Sequence, residues 1–368
     1  MKNRKIRVLH FGLSTNRGGI ETYLHKLSSQ VDPNLFSFSF IDTNKEHPCF
    51  YEELRDLGCD FFKITPRRSS ITTNKRDIEK LFSDNNFDIF HCHINTLSYI
   101  EPILAALRHG VKVIVHSRNA GTGGSITTRV LHKLNSYRLP HKRVTCIAVS
   151  NEAGEWLFGR GGEYKVYNNG IDLDAFRFDE ASRNAVRSTL GLHTNDFLVG
   201  HVGAFLPAKN QSFVVDIFIE LLKLKPEAKL VFVGSGAGLD SIQSRVDSLD
   251  LSDNVIFAGS RDDMPQVLSA MDLFVFPSFY EGFPNAVLEA QACGVPCMVS
   301  EHVTSEVLVR NSCVKLSLEN SSKDWAVQAL NLVQMENFRA KAHEELMASG
   351  YSVKEEIQRM QDLYISLV

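Results

Sequence analysis

No apolar run in this chain approaches the ~20 residues that a bilayer-spanning helix requires. The basic start, MKNRKIRV, leads straight into a strand-like segment where a secretory leader would place its apolar stretch. Paired cysteines are missing too: the seven present are odd in number and scattered, with no CxxC motif, which fits free thiols in a reducing compartment. Secretion and membrane spanning are therefore not expected, and a cytoplasmic location is. Internal repeats and low-complexity tracts are absent. So are acidic residues between Pro102 and Asn151, a stretch that carries Arg108, Lys112, Arg118, Arg129, Lys133, Arg138, Lys142 and Arg143.

That local deficit belongs to a wider asymmetry. Up to Asp172, 24 Lys and Arg face 17 Asp and Glu; beyond it 16 face 26, for a net charge of -3. Within SITTRVLHKLNSYRL, Ile126, Val130, Leu131, Leu134 and Tyr137 follow helical spacing and leave Arg129 and Lys133 on another face. The segment Ser125 to Arg143 suits anionic lipid headgroups, which would put the protein peripherally at the inner face of the plasma membrane. A merely solvated face accounts for the pattern equally well. Nucleic acid is not expected as a partner, because the segment has little aromatic interleaving and the whole chain is mildly acidic.

At 368 residues and 43% hydrophobic, the chain exceeds one ordinary core and suggests two domains. KIRVLHFG, FSFSFI, DFFKI, FDIFHCH, VKVIVHS and VTCIAVS are short β-branched or aromatic runs separated by stretches able to form helices. This is βαβα order. A polar, irregular segment follows Asp172 and runs through Thr194, after which FLVGHVG, KLVFVGS, NVIFAGS, DLFVFPS and VPCMVS restart the alternation. The expected architecture is α/β, with two Rossmann-like parallel-sheet domains facing across a cleft where ligands bind. The expected division is 1–172, a linker 173–195, a second domain 196–350 and a final helix 351–368.

The segment EGFPNAVLEA, Glu281 to Ala290, sets two carboxylates eight positions apart. Pro284 suits a first helical turn and Gly294 a helix end, so a helix is expected from about Pro284 to Ala292, with Glu281 before it and Glu289 on its body. The N–H groups of Asn285, Ala286 and Val287 would then point out of the helix start, where an anion binds. Two acceptor carboxylates flanking amide donors suit a ligand with hydroxyls at both ends and phosphate in the middle, as in a nucleotide-sugar. A turn glutamate and an unrelated surface glutamate would leave the same pattern.

Glu281-Gly-Phe-Pro-Asn-Ala-Val-Leu-Glu289, followed by Ala290-Gln-Ala-Cys-Gly-Val-Pro296, resembles the signature of glycosyltransferase family 4, whose members adopt the GT-B fold. Arg17-Gly18-Gly19-Ile20-Glu21 after the first strand resembles the family's glycine loop. His116 in VIVHS resembles its strand-end histidine, and Asn169-Gly-Ile-Asp172 its crossover. The resemblance spans essentially the full length. It implies that Glu289 holds the nucleotide ribose, that Glu281 contacts the transferred sugar, and that the diphosphate lies on the helix start beside Gly282, Phe283, Asn285, Ala286 and Val287. By the same resemblance Gly18 and Gly19 approach the diphosphate or acceptor, His116 orients the sugar, and Ser260, Arg261 and the Gly234 turn surround the base. The last helix, from about Val353, would return to the first domain.

One position departs from the pattern. Where many members read Val-Gly-Arg-x-x-x-x-Lys, this chain reads Val202-Gly-Ala204 and then Lys209, so the clamp lysine is present and the arginine is not. A charge-assisted contact to phosphate is typically worth about 1.5–3 kcal/mol, or roughly ten- to a hundredfold in turnover, and Arg17 is the candidate substitute. GSGAGL, Gly234 to Leu239, is a lone glycine pattern in the second domain and weak evidence for a dinucleotide. His91-Cys-His93 and Asp172-Leu-Asp174 are weak metal signals, the first for want of a further matched ligand and the second because it opens the linker.

The expectation is a metal-independent, retaining glycosyltransferase without a cofactor. It would move a sugar from a nucleotide-sugar, most simply a UDP-sugar, to a glycan or lipid-linked glycan in surface polysaccharide synthesis. A sugar-nucleotide epimerase of the same build, or a non-catalytic partner protein as Ala204 suggests, are the alternatives.

Overall fold

The computed structural model describes residues 4–121, 125–193, 195–334, 339 and 341–368; Thr194 and the first three residues of the basic start lie outside that description. The chain divides into two units, residues 1–169 with 354–368, and residues 170–353.

Among the described residues, unit 1 holds seven strands: β1 Ile6–Phe11, β2 Phe36–Asp42, β3 Asp60–Lys63, β4 Ile89–Ile94, β5 Lys112–Ser117, β6 Thr145–Ala148 and β7 Lys165–Val166. They run parallel in the order β3-β2-β1-β4-β5-β6-β7. Every residue of β4 is buried, as expected of a central parallel strand covered on both faces. The helix Val353–Leu367 lies along this sheet, where the Tyr364 hydroxyl sits 2.7 Å from His91 Nδ1 and Lys26 Nζ pairs with Glu356 at 2.6 Å.

Unit 2 holds six among its described residues: β8 Phe197–Val202, β9 Ala228–Val233, β10 Val255–Phe257, β11 Leu273–Phe276, β12 Cys297–Ser300 and β13 Cys313–Leu316. Their order, β10-β9-β8-β11-β12-β13, is again all parallel and repeats the central pattern of unit 1. Its core joins Phe197, Phe218, Phe232 and Leu273 to Trp325, whose indole packs edge-on against Phe213 and donates to the Ser317 carbonyl at 3.1 Å.

Two short edge strands, β7 and β13, add to those expected from the sequence. The segment read as an irregular linker, 173–195, carries the helix Glu180–Thr189, capped where Asp179 accepts from Ser182 N at 2.7 Å. Its inward side is cationic. Arg183 donates to Asp272 Oδ1 at 2.6 Å, and Arg187, 4% exposed, donates to Oδ2 at 3.2 Å and to the Ala270 carbonyl at 3.0 Å. Leu198 N also donates to Asp272 Oδ2, at 2.8 Å, so one carboxylate ties the segment to the start of β8. It is therefore part of unit 2.

Removing that carboxylate strands a buried guanidinium. Asp272→Ala is expected to destabilise the protein by about 3–5 kcal/mol, read as a fall in the urea midpoint, whereas a surface control such as the exposed Glu319→Ala stays within about 0.5 kcal/mol.

Candidate active site

In a parallel sheet whose order reverses, connections leave neighbouring strands toward opposite sides and open a crevice at their carboxyl ends. In unit 2 the reversal falls between β8 and β11. Lys209 comes from the connection after β8 and Glu281 from that after β11, and they meet there with Nζ 2.6 Å from Oε1. Both are mostly buried, and Lys209 Nζ also stands 4.8 Å from the Phe276 ring centroid. The two connections are tied by Phe279 N donating to the Ala208 carbonyl at 2.8 Å and Asn210 Nδ2 to the Pro277 carbonyl at 3.2 Å.

The expected helix is present as Asn285–Ala292, with Pro284 as its N-cap and Gly294 at φ +70° just past its end. As a proline, the N-cap residue supplies no side-chain cap. Glu281 lies in the loop before it and Glu289 on its body, both half-buried. The expectation of an open amide at Val287 is corrected: its N–H donates to the Pro284 carbonyl at 3.0 Å, closing the first turn. Gly282 is buried, and so is Phe283, whose ring packs 5.6 Å from that of Tyr351.

The turn after β9 crosses that after β8 closely. A Cβ on Gly234, at φ +140°, would lie 2.2 Å from the Gly203 carbonyl oxygen, and one on Gly236 2.7 Å from Phe205 N. Contact between these two turns is what requires glycine at these positions of GSGAGL. The turn after β10 joins them, with Ser260 Oγ donating to Ser235 Oγ at 3.2 Å and Arg261 held on Asp263 at 2.6 Å. Gly234, Ser260, Arg261, Lys209 and Glu281 thus all stand on the carboxyl edge of one sheet. Ala204 is exposed, and its carbonyl accepts from Gln211 Nε2 at 2.9 Å.

Unit 1 places Arg17 and Gly18 between β1 and the helix Gly19–Gln30, which Gly19 opens. Arg17 is exposed, its guanidinium 5.3 Å from the Phe50 ring centroid. A Cβ on Gly18 would lie 2.8 Å from Glu21 Oε2, whereas one on Gly19 would meet nothing within 4 Å. Glu21 itself turns back to accept from Ser14 N at 2.9 Å and Ser14 Oγ at 2.7 Å.

His116 is fully buried among three other histidines that the sequence pattern did not gather. Register explains the group: His10 on β1 pairs with His91 on β4, and His93 with His116 on β5, so all four imidazoles share one sheet face. An arginine only donates, so Arg118 Nη1, 3.2 Å from His116 Nε2, fixes the tautomers in turn. His116 Nδ1–H then donates to His91 Nε2 at 3.2 Å, and His91 Nδ1–H to the Tyr364 hydroxyl at 2.7 Å. Burial first, then the neighbouring Arg118 and His91, holds the His116 pKa well below its ordinary value; burial alone takes His10 down to about 3. Both nitrogens of His116 are thus engaged inside the protein, and neither is left for a sugar hydroxyl. The sequence signal that would have found the cluster is a histidine at one inward position of each of three adjacent strands.

All seven cysteines are unpaired thiols, and burial pushes those of Cys146 and Cys293 up to about 12. Asp172 of the DxD spacing accepts from Ala175 N at 3.1 Å, closing its own turn.

Two switch-point units, one carrying a Glu-x7-Glu helix beside a lysine, define a GT-B glycosyltransferase. Residues 17–175 match the model of Glycosyltransferase Family 4 and residues 182–346 that of Glycosyl transferases group 1. The chain belongs to glycosyltransferase family 4. It is 28% identical to a protein of Bacillus subtilis (strain 168) bearing the name glycosyltransferase EpsF, over 99% of this chain and 97% of that one. It is 29% identical to the UDP-Gal:alpha-D-GlcNAc-diphosphoundecaprenol alpha-1,3-galactosyltransferase of Escherichia coli, over 78% of each. Among solved structures, Anabaena HepE in complex with UDP superposes with a TM-score of 0.79 at 20% identity, covering 98% of this chain and all of that one.

Tyr364→Phe would leave the buried His91 Nδ1–H without an acceptor. An expected loss of about 1–3 kcal/mol checks the tautomer chain by urea unfolding; unchanged stability would break it.

Proposed function

We propose that the protein is a retaining, metal-independent hexosyltransferase that moves a sugar from a UDP-sugar to a glycan or lipid-linked glycan acceptor in surface polysaccharide synthesis. The observation that carries this reading is the Lys209–Glu281 pair at the β8/β11 reversal, with Glu281 four residues ahead of a helix whose N-cap is a proline. A lysine held there by a carboxylate is a cation already in place before any ligand arrives. The donor's diphosphate would bind Lys209 and the helix start, whose partial charge of about +0.5 favours the anion that grows as the glycosidic bond breaks. Glu281 is then left to accept from sugar hydroxyls and Glu289 from the ribose. Gly234, Ser260 and Arg261 form the rim for the base. His116, its nitrogens engaged, positions Arg118 and does not touch the sugar. Retention is taken from the family.

The name of the Escherichia coli relative, with UDP-Gal as donor and a diphosphoundecaprenol-linked acceptor, supports this reading. So does HepE, solved with UDP and with UDP-glucose. Ala204 favours a second reading, a non-catalytic partner protein that binds nucleotide without turning it over.

A nucleotide-sugar screen by thermal shift tests the donor site, since a ligand at about 100 times its Kd adds about 2.7 kcal/mol. A UDP-sugar is expected to stabilise the protein, and Lys209→Ala and Glu289→Ala each to weaken its binding about tenfold or more. Failure of every nucleotide-sugar, or wild-type binding by both variants, would sink the reading. With acceptor present, UDP release should proceed in EDTA and rise about tenfold in Ala204→Arg; no release from either form favours the non-catalytic partner.

The acceptor side of the proposal rests on the helix Ile126–Arg138. It is inverted. Asn135 is buried and donates to the Leu97 carbonyl at 2.7 Å, and His132 stacks on Trp156, while Ile126, Val130, Leu134 and Tyr137 are 81, 51, 56 and 81% exposed. Exposed Arg129, Lys133, Arg138, Lys142 and Arg143 accompany this apolar row. Apolar side chains to enter an interface, with cations worth about 1 kcal/mol each near an anionic surface, suit a membrane that carries the acceptor. Sedimentation with vesicles is expected to pull down the protein when they contain phosphatidylglycerol and not when they are pure phosphatidylcholine. Ile126→Ser with Tyr137→Ser should abolish the effect, and equal recovery with both vesicle types would refute it.

A further inference from the structure

The four-histidine face in unit 1 is only partly used by the tautomer chain. His91 and His116 take part in it, but His10 and His93 join each other solely through Nδ1 and Nε2, 3.3 Å apart. Their remaining nitrogens, His10 Nε2 and His93 Nδ1, are buried with no hydrogen-bond partner among the described residues, as is the hydroxyl of Tyr23, whose ring stands 5.5 Å from that of His93. These outer groups stay as they are whatever lies between the two inner nitrogens, so what matters is the spacing of the inner pair. A separation of 3.3 Å is long for a hydrogen bond between neutral imidazoles. It is also the spacing of two nitrogens on one tetrahedral ion with bonds of about 2.0–2.1 Å.

We infer that His10, His91 and His93 form a binding site for one divalent transition ion of the imidazole-seeking kind, such as zinc or cobalt. One ligand atom from each lies within 4.8 Å of the others. The HCH spacing alone was weak evidence; β1 supplies the third ligand in register with the first. Neutral imidazole is the coordinating form, and burial keeps all three neutral. Cys92 points to the opposite sheet face by strand alternation and is not a ligand. On loading, His91 gives up one of its two hydrogen bonds. Arg118 is the opposing charge, and it is countered by Glu21 and by Glu356, both buried and both acting on it. Such an ion stiffens unit 1 and takes no part in glycosyl transfer, so the inference stands or falls separately from the donor site of unit 2.

The test uses the full-length protein, stripped with chelator, incubated overnight with Co(II) because the site is buried, and then dialysed. Close to one retained Co(II) per chain is expected, with the intense visible bands of tetrahedral coordination and displacement by zinc. His10→Asn and His93→Asn should each weaken retention about a hundredfold, with circular dichroism and a cooperative urea transition checked as evidence of folding, while the half-buried His132→Gln should not. X-ray absorption of the zinc-loaded wild type needs no variant and should count three imidazole nitrogens at about 2.0 Å. No retained ion, retention unchanged in both variants, or a shell of oxygen or sulfur would overturn the proposal.

Discussion

Lys209 can meet Glu281 only because β8 and β11 lie side by side and parallel while the chain departs from them toward opposite edges of the sheet. Had the order run without reversal, a helix would cover the seam and the two loops would be separated by a strand's width of about 4.8 Å or more. The reversal leaves the crevice, and local features then fix what enters it. Asn210, in the left-handed region at φ 56°, turns the chain into the helix Gln211–Leu224 and so sets where Lys209 stands. The lysine stem packs beside Gly203, where a Cβ would lie 3.4 Å from its methylene carbons. Charge placement therefore follows from strand order first and from side-chain choice second.

The same reversal occurs in unit 1 between β1 and β4, and it is filled differently. Four imidazoles occupy the inward face of three adjacent strands. Histidine is the titratable residue best suited to such a place, because burial shifts its pKa downward into a neutral form at modest cost, whereas a lysine or carboxylate would have to be stripped of its charge across several pH units. Neutral imidazole remains a strong donor and acceptor. That is what lets Arg118 set a direction of hydrogen bonding that ends on Tyr364, borrowed from the last helix.

Eleven of the thirteen strands were legible because each is a short β-branched or aromatic run between helix-forming stretches, and the Glu281–Glu289 helix was legible because Pro284 and Gly294 punctuate it. The edge strands β7 and β13 carried too little apolar pattern to stand out, the first being two residues long and the second interrupted by Lys315. The helix Glu180–Thr189 was hidden for another reason: its inward residue is Arg187, so a search for apolar periodicity reads it as polar linker. The helix Ile126–Arg138 shows the opposite failure. Its apolar spacing is real, yet Asn135 and His132 face inward, and nothing local in the sequence says which face a helix buries. His10, His91, His93 and His116 come together through register between strands distant in sequence, which no single window contains.

The departure at Ala204 is one of charge and not of backbone. Its carbonyl still accepts from Leu206 N at 2.8 Å and from Gln211 Nε2, and its neighbour Phe205 is buried against Phe232 and Phe257. The turn that follows β9 still needs glycine at 234 and 236 to pass it. Because the loop is braced from both sides and the side chain at 204 is exposed, an arginine there would find the scaffold already built. What position 204 does not supply is a second cation beside Lys209, and at such a site that is a matter of how strongly a diphosphate is held, while Lys209 and Glu281 hold each other whatever stands at 204.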